Sequence, residues 1–221
     1  KHMSADSLKA EIARFAPVEI TFDETILSQP EKEALGKLVQ VAHLTEEIFL
    51  RQVWEGNVAM RNELDKAAQT AGPNQPLAQD LLRYFVINAG PWERLEENRP
   101  FIGTMAKPAG AGFYPQDMTK EEFDAYLAAH PDMKDALTGY FSRIERTGDG
   151  GLRAVPYNEA YGDLLRDASR LMNEAADALT HPSEQLPEEP SDDPGAARSS
   201  ARGVARRRSA RRWIVAAGAA I

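Results

Sequence analysis

The stretch KPAGAGFYPQDMTKEEF, residues 107–123, constrains the fold more than any other part of the chain. An irregular loop broken by glycine and proline runs straight into a capped helix. Gly110 and Gly112 allow backbone angles that other residues avoid, and Phe113 and Tyr114 place two large rings on that permissive backbone. Thr119, followed by Glu122 three residues on, is a capping box that predicts a helix from Lys120. Ordering such a ring-bearing loop costs conformational entropy, so it implies a packing or binding role.

Around this loop the hydrophobic period is helical. Residues 4–14 read as a short amphipathic helix, and residues 15–22 (FAPVEITF) as extended, with Pro17 blocking continuation. Ser28 and Gln29-Pro30-Glu31 open a long helix to about Trp54, with Leu35, Leu38, Val39, Ala42, Ile48 and Phe49 at helical spacing. Gly56-Asn57 stops it. Further helices are predicted over 58–70 and 76–88, then an irregular stretch over 88–107. The capped helix runs to about Ala129, and another carries Met133 to about Tyr140. FSRIER, the turn TGDGG and LRAVPY change the period to that of a β-hairpin. One last long helix runs from Asn158 to about Leu179, stopped by His181-Pro182. The fold class expected is mainly α-helical, α+β with one small β-hairpin.

Composition narrows the function. The chain is 43% hydrophobic and 27% charged, as in water-soluble globular proteins. It has no cysteine, which excludes disulfides and thiolate metal sites and favours a reducing, cytoplasmic setting. No apolar run approaches the ~20 residues of a membrane span. Lys1-His2-Met3 reads as an appended scar or as upstream translated sequence, Met3 is the expected natural start, and no signal peptide is expected because no apolar stretch follows the positive end. The net charge of -8 hides a split, because Arg198, Arg202, Arg206, Arg207, Arg208, Arg211 and Arg212 stand in a tail without acids. The body is therefore strongly acidic and repels phosphates, so no nucleic-acid partner is expected there. From residue 186 a proline-rich acidic segment leads into that Arg/Ala/Gly/Ser tail, a composition expected to be disordered. Out-of-frame translation of GC-rich DNA yields such a composition directly. The expected organisation is an N-terminal extension over 1–14, a helical body over 15–185 and a tail over 186–221.

The residues do not assemble a reaction centre. The histidines are His2, His43, His130 and His181, with no pair at i, i+4, so no metal ligands and no catalytic residues are assigned. No serine sits in a nucleophile elbow, and Gly110-Ala111-Gly112 follows a loop where a dinucleotide site needs a strand. The aromatics along 84–114 read first as core beneath the loop. As a functional alternative, Asn88, Trp92 and Tyr114 line part of a peptide-binding cleft, since an amide offers donor and acceptor to an extended backbone.

Five stretches carry a resemblance: FAPVEI at 15–20, EEIFLRQVWEGN at 46–57, YFVINAGPWERLEENRPFI at 84–102, KPAGAGFYPQDMTKEEFDAYL at 107–127 and LRAVPYNEAYGDLL at 152–165. From residue 15 to about 181 the chain resembles dipeptidyl peptidase III, in its bacterial branch of zinc-dependent hydrolases. The resemblance implies a two-lobed zinc metallopeptidase that releases dipeptides from the amino ends of short peptides. It implies zinc held by a His-Glu-x-x-Gly-His helix and a later glutamate, which polarise a bound water. None of these motifs occurs in this sequence. What matches is expected to be an amino-terminal part of the non-zinc lobe, truncated before the zinc helix, inactive alone and without zinc of its own. It is also expected to self-associate through exposed lobe surface. The alternative is a non-enzymatic helical module that binds a peptide or protein through residues 88–118. A third reading, nucleic-acid or membrane binding through the arginine tail, rests on residues 198–221 alone.

Overall fold

The structure, a computed structural model, describes residues 3–179. The expected helix stop at His181-Pro182 and the expected disordered tail over 186–221 lie outside the described residues. Helices dominate, as the hydrophobic period predicts: α1 (Ala5–Ile12), α2 (Gln29–Val53), α3 (Asn57–Gln69) and α4 (Gln75–Asn88) come first. A two-residue antiparallel pair, β1 (Trp92–Glu93) and β2 (Arg99–Pro100), follows α4. Then come α5 (Lys120–Ala129), a 3-10 turn over Pro131–Met133, α6 (Lys134–Leu137), the hairpin β3 (Ser142–Arg146) and β4 (Leu152–Pro156), α7 (Tyr157–Ala160) and α8 (Gly162–Ala178).

The caps explain the helix starts. Ser28 N–H and Oγ both donate to Glu31, at 2.8 and 2.7 Å, which fixes the entry to α2. The Thr119 hydroxyl accepts from the Glu122 N–H at 3.1 Å, so α5 begins where the capping box predicts. In α1 the Ser4 hydroxyl accepts from Ser7 N–H at 3.2 Å.

Contacts divide the chain into two units, the boundary falling inside α2. The first takes residues up to Ile20 together with Glu47–Ala160. Its larger core joins Leu8 and Ile12 of α1, Leu50 of α2, and Leu81, Tyr84 and Phe85 of α4 to Phe101. Leu8 is fully buried and Ile12 nearly so, so α1 contributes one face to this core. A second cluster joins Met118, Leu137, Ile144 and Leu152, with Tyr114, Phe123 and Tyr126 packed against it. Ile144 pairs with Ala154 and Arg146 with Leu152, which puts the buried Ile144 and Leu152 on one hairpin face. Arg146 reaches from the hairpin to Asp117 and Glu122, both at 2.8 Å, and its guanidinium holds both carboxyls below the usual range.

The second unit takes Thr21–Glu46 and the chain from Tyr161 onward. Leu164, Ala168, Leu171 and Ala175 form a buried stripe along α8. Lys37 on α2 meets Glu174 on α8 at 2.7 Å.

Three details depart from the sequence expectations. The pair β1–β2 lies in a stretch expected to be irregular; Glu97 and Asn98, both with positive φ (53° and 59°), turn the chain between its strands. The helix expected to reach Tyr140 stops at Leu137, with the Thr138 hydroxyl donating to the Lys134 carbonyl at 2.8 Å; Tyr140 lies outside it and is 90% exposed. The last helix is two: buried Tyr161 leaves helical geometry at φ -123° and ψ 21°, and the helix restarts at Gly162.

Candidate functional site

Residues 88–118 leave α4 and end at Met118, just ahead of α5. At the end of α4, Ala89 takes the left-handed conformation (φ 52°), and the Gly90 N–H bonds back to the Phe85 carbonyl at 3.1 Å. The Asn88 side chain is buried. Its Nδ2 donates to the Tyr84 carbonyl and its Oδ1 accepts from the Arg94 N–H, both at 3.0 Å. The amide thus grips a peptide backbone, that of its own chain. Trp92 is buried too, with Nε1 donating to the Met105 carbonyl at 2.8 Å and its ring meeting the Trp54 ring edge-on at 5.4 Å. Tyr114 is half-buried and meets the Phe123 ring edge-on at 5.0 Å, in the second cluster. Of the three cleft candidates, Asn88 and Trp92 come together at the end of α4, and Tyr114 sits with the hairpin.

The glycine-rich loop has a steric cause. The Gly112 N–H donates to the Gln52 carbonyl at 2.8 Å, capping one of the open carbonyls at the end of α2. A Cβ on Gly112 would overlap the Arg51 carbonyl oxygen. The neighbouring Phe113 carbonyl accepts from the Ile144 N–H at 2.7 Å. Residues 112 and 113 therefore tie α2 to β3, and only glycine fits the approach.

Two buried polar groups have no signal in spacing or composition. Glu93 is fully buried, accepting from Tyr84 Oη at 3.2 Å and Arg99 Nε at 2.6 Å. Burial, with Glu93 adding to it, pushes the Tyr84 phenol up to about 12. Asn57 is fully buried, and its Nδ2 donates to the Leu50 carbonyl at 3.0 Å and the Ala89 carbonyl at 3.1 Å. It binds the ends of α2 and α4 together. In the sequence, Glu93 reads as one acid of an acidic surface and Asn57 as part of a helix stop. The apolar neighbours Pro91 and Trp92 are the one local hint that Glu93 turns inward.

This arrangement fixes one loop conformation by spending its polar atoms internally. Among the described residues, no group of three or more His, Asp or Glu side chains is placed to hold a metal ion, and no helix is long and apolar enough to cross a membrane. A shallow groove of about 520 Å³ lies between the end of α3 and the start of α4, around Lys66, Ala71 and Asn74, and none of the three candidates lines it.

A mainly helical scaffold with an internally bonded loop is the class that these elements define. Among solved structures, dipeptidyl peptidase III from Caldithrix abyssi is 41% identical with a TM-score of 0.70, over 79% of this chain and 32% of that one. Dipeptidyl peptidase III from Corallococcus sp. strain EGB is 37% identical with a TM-score of 0.72, over 80% and 32%. The curated protein Nudix hydrolase 3 of Arabidopsis thaliana is 31% identical over 80% of this chain and 29% of its own length. No family model matches the chain. The chain is thus similar to dipeptidyl peptidase III in sequence and fold over about four-fifths of its length, and spans about a third of the chains that it resembles.

Proposed function

We propose that this chain forms part of a dipeptidyl peptidase III-like zinc metallopeptidase, a hydrolase that releases dipeptides from the amino ends of short peptides. The observation that carries the reading is the joint likeness of sequence and fold to two such enzymes, 41% and 37% identical. The name of the plant relative denotes a different hydrolase, and the chain spans under a third of that protein, so it assigns no chemistry to these residues.

Hydrolysis in this reading needs polypeptide beyond this chain. A catalytic zinc takes three protein ligands and leaves a position for water. Four histidines without a ligand-spaced pair, and no cysteine, do not supply that set. The chain's own contribution is a wall of the peptide cleft. Asn88 and Trp92 fix the loop backbone that borders it, and Tyr114 presents a ring beside it. The cysteine-free composition supports a cytoplasmic setting, and the acidic body supports peptides as partners over nucleic acid.

Hydrolysis of a dipeptidyl-arylamide by the purified chain with added zinc tests this. The reading expects turnover at background. Zinc-dependent turnover abolished by a chelator would contradict it.

A further inference from the structure

A groove of about 370 Å³ lies where α1 packs on α4, with Lys9, Ile12 and Phe15 on one side and Asp80 and Arg83 on the other. Part of its lining is apolar: Ile12 is buried, and the Phe15 ring meets the Tyr84 ring edge-on at 6.4 Å. The rest is charged, and those charges are unspent. Asp80 and Arg83 stand at i and i+3 on α4, a spacing at which opposite charges on a helix can pair. Among the described residues neither forms an ion pair or a side-chain hydrogen bond, and nor does Lys9. Nearby cations behave otherwise: Arg14 holds Glu11 and Glu96, and Arg99 holds Glu93. Small-molecule sites have this build, apolar walls with a few polar groups, and the volume falls in their range of about 300–1,000 Å³.

We propose that this groove binds a free dipeptide bearing an apolar side chain. Asp80 takes its ammonium group, Arg83 and Lys9 its carboxylate, and Ile12 and Phe15 the side chain. Both signs of charge are present, so a simple anion would leave Asp80 unanswered and a simple cation would leave two cations unanswered. A zwitterion answers both. The helix sets its length, because Cβ atoms at i and i+3 lie about 5–6 Å apart. That is close to the span from amino to carboxyl group across two residues whose Cα atoms are about 3.8 Å apart. A single amino acid carries both charges on one carbon and is shorter. The choice of a dipeptide among zwitterions of this length rests on the functional reading above, whose hydrolysis releases such molecules. None of Asn88, Trp92 and Tyr114 lines the groove, so it is a second peptide-binding place on this chain.

Calorimetric titration of the full 221-residue chain with Ala-Leu tests this, beside N-acetyl-Ala-Leu, which lacks the ammonium, and Ala-Leu amide, which lacks the carboxylate. The expected result is saturable binding that either blocking group weakens about fivefold or more. Arg83→Gln should weaken Ala-Leu by a similar factor, and Arg83→Lys should restore most of it. Asp80→Asn should remove the preference for Ala-Leu over its acetylated form. Circular dichroism checks that the helices persist in each variant. Equal binding of the free and acetylated peptides makes the groove an anion site and overturns the proposal. Binding that neither Arg83→Gln nor Asp80→Asn changes lies elsewhere and overturns it too, as does no saturable binding. 5-Aminopentanoate binding as tightly as Ala-Leu overturns the dipeptide as occupant. All these outcomes leave the functional reading standing, since that reading falls on the arylamide turnover instead.

Discussion

A single methyl group on Gly112 would collide with the carbonyl end of α2, because the loop backbone lies directly against Arg51 and Gln52. Backbone cannot move aside as a flexible side chain can, so Gly112→Ala should destabilise the chain by about 3 kcal/mol. The check is a lowered urea midpoint at unchanged slope, with Gly148→Ala, which faces open space, near neutral. Tyr84 supplies a second residue-scale outcome. Its phenol is pushed up to about 12, chiefly by burial, from an ordinary value near 10. The neutral form is favoured in the fold, so this contribution is intact below about pH 10 and is lost as pH rises toward 12. Absorbance titration should find a late phenol that Tyr84→Phe removes, beside that of Tyr157, which burial also pushes up. A titration identical in the two proteins would contradict the buried Tyr84–Glu93 contact.

At the scale of elements, local chemistry and periodicity were readable where both agreed. Ser28 with Glu31 opens α2, Thr119 with Glu122 opens α5, and Asp149-Gly150 closes the hairpin, all at the positions that their residue types predict. Thr119→Ala should cost about 1 kcal/mol, read by thermal or urea unfolding, with Thr119→Ser restoring most of it. Elements set by tertiary contacts were not readable. Tyr161 is buried and leaves helical geometry between α7 and α8, a break that the hydrophobic period of residues 158–179 does not mark. The pair β1–β2 has too few residues for a period, and its turn places Glu97 as well as Asn98 in the left-handed region, which Asn visits readily but Glu does not announce. The cleft candidates show the same limit. The ring-rich loop was legible, but the bonding of Asn88 to Tyr84 and of Trp92 to Met105 depends on a fold no spacing encodes.

The whole molecule combines ordered helical units with apolar side chains left in water, among them Val18, Ile20, Val86 and Phe141. Such surface favours association. Sedimentation should find species larger than a monomer, and unfolding should be broad; a strictly monomeric chain with one sharp transition would contradict this. Acidic residues are plentiful, but among those described none converge with histidine into a ligand set. The likeness to dipeptidyl peptidase III was legible in five stretches of sequence, and the 41% and 37% identity to two solved structures agrees with it. The chemistry was not, because none of those stretches holds the zinc motif. The central claim is that this chain lends shape to a hydrolase whose metal ligands stand on other polypeptide. Elemental analysis of the purified chain, dialysed after exposure to zinc, tests it most directly. The account predicts well under one tightly held zinc per chain; one zinc retained per chain would contradict it.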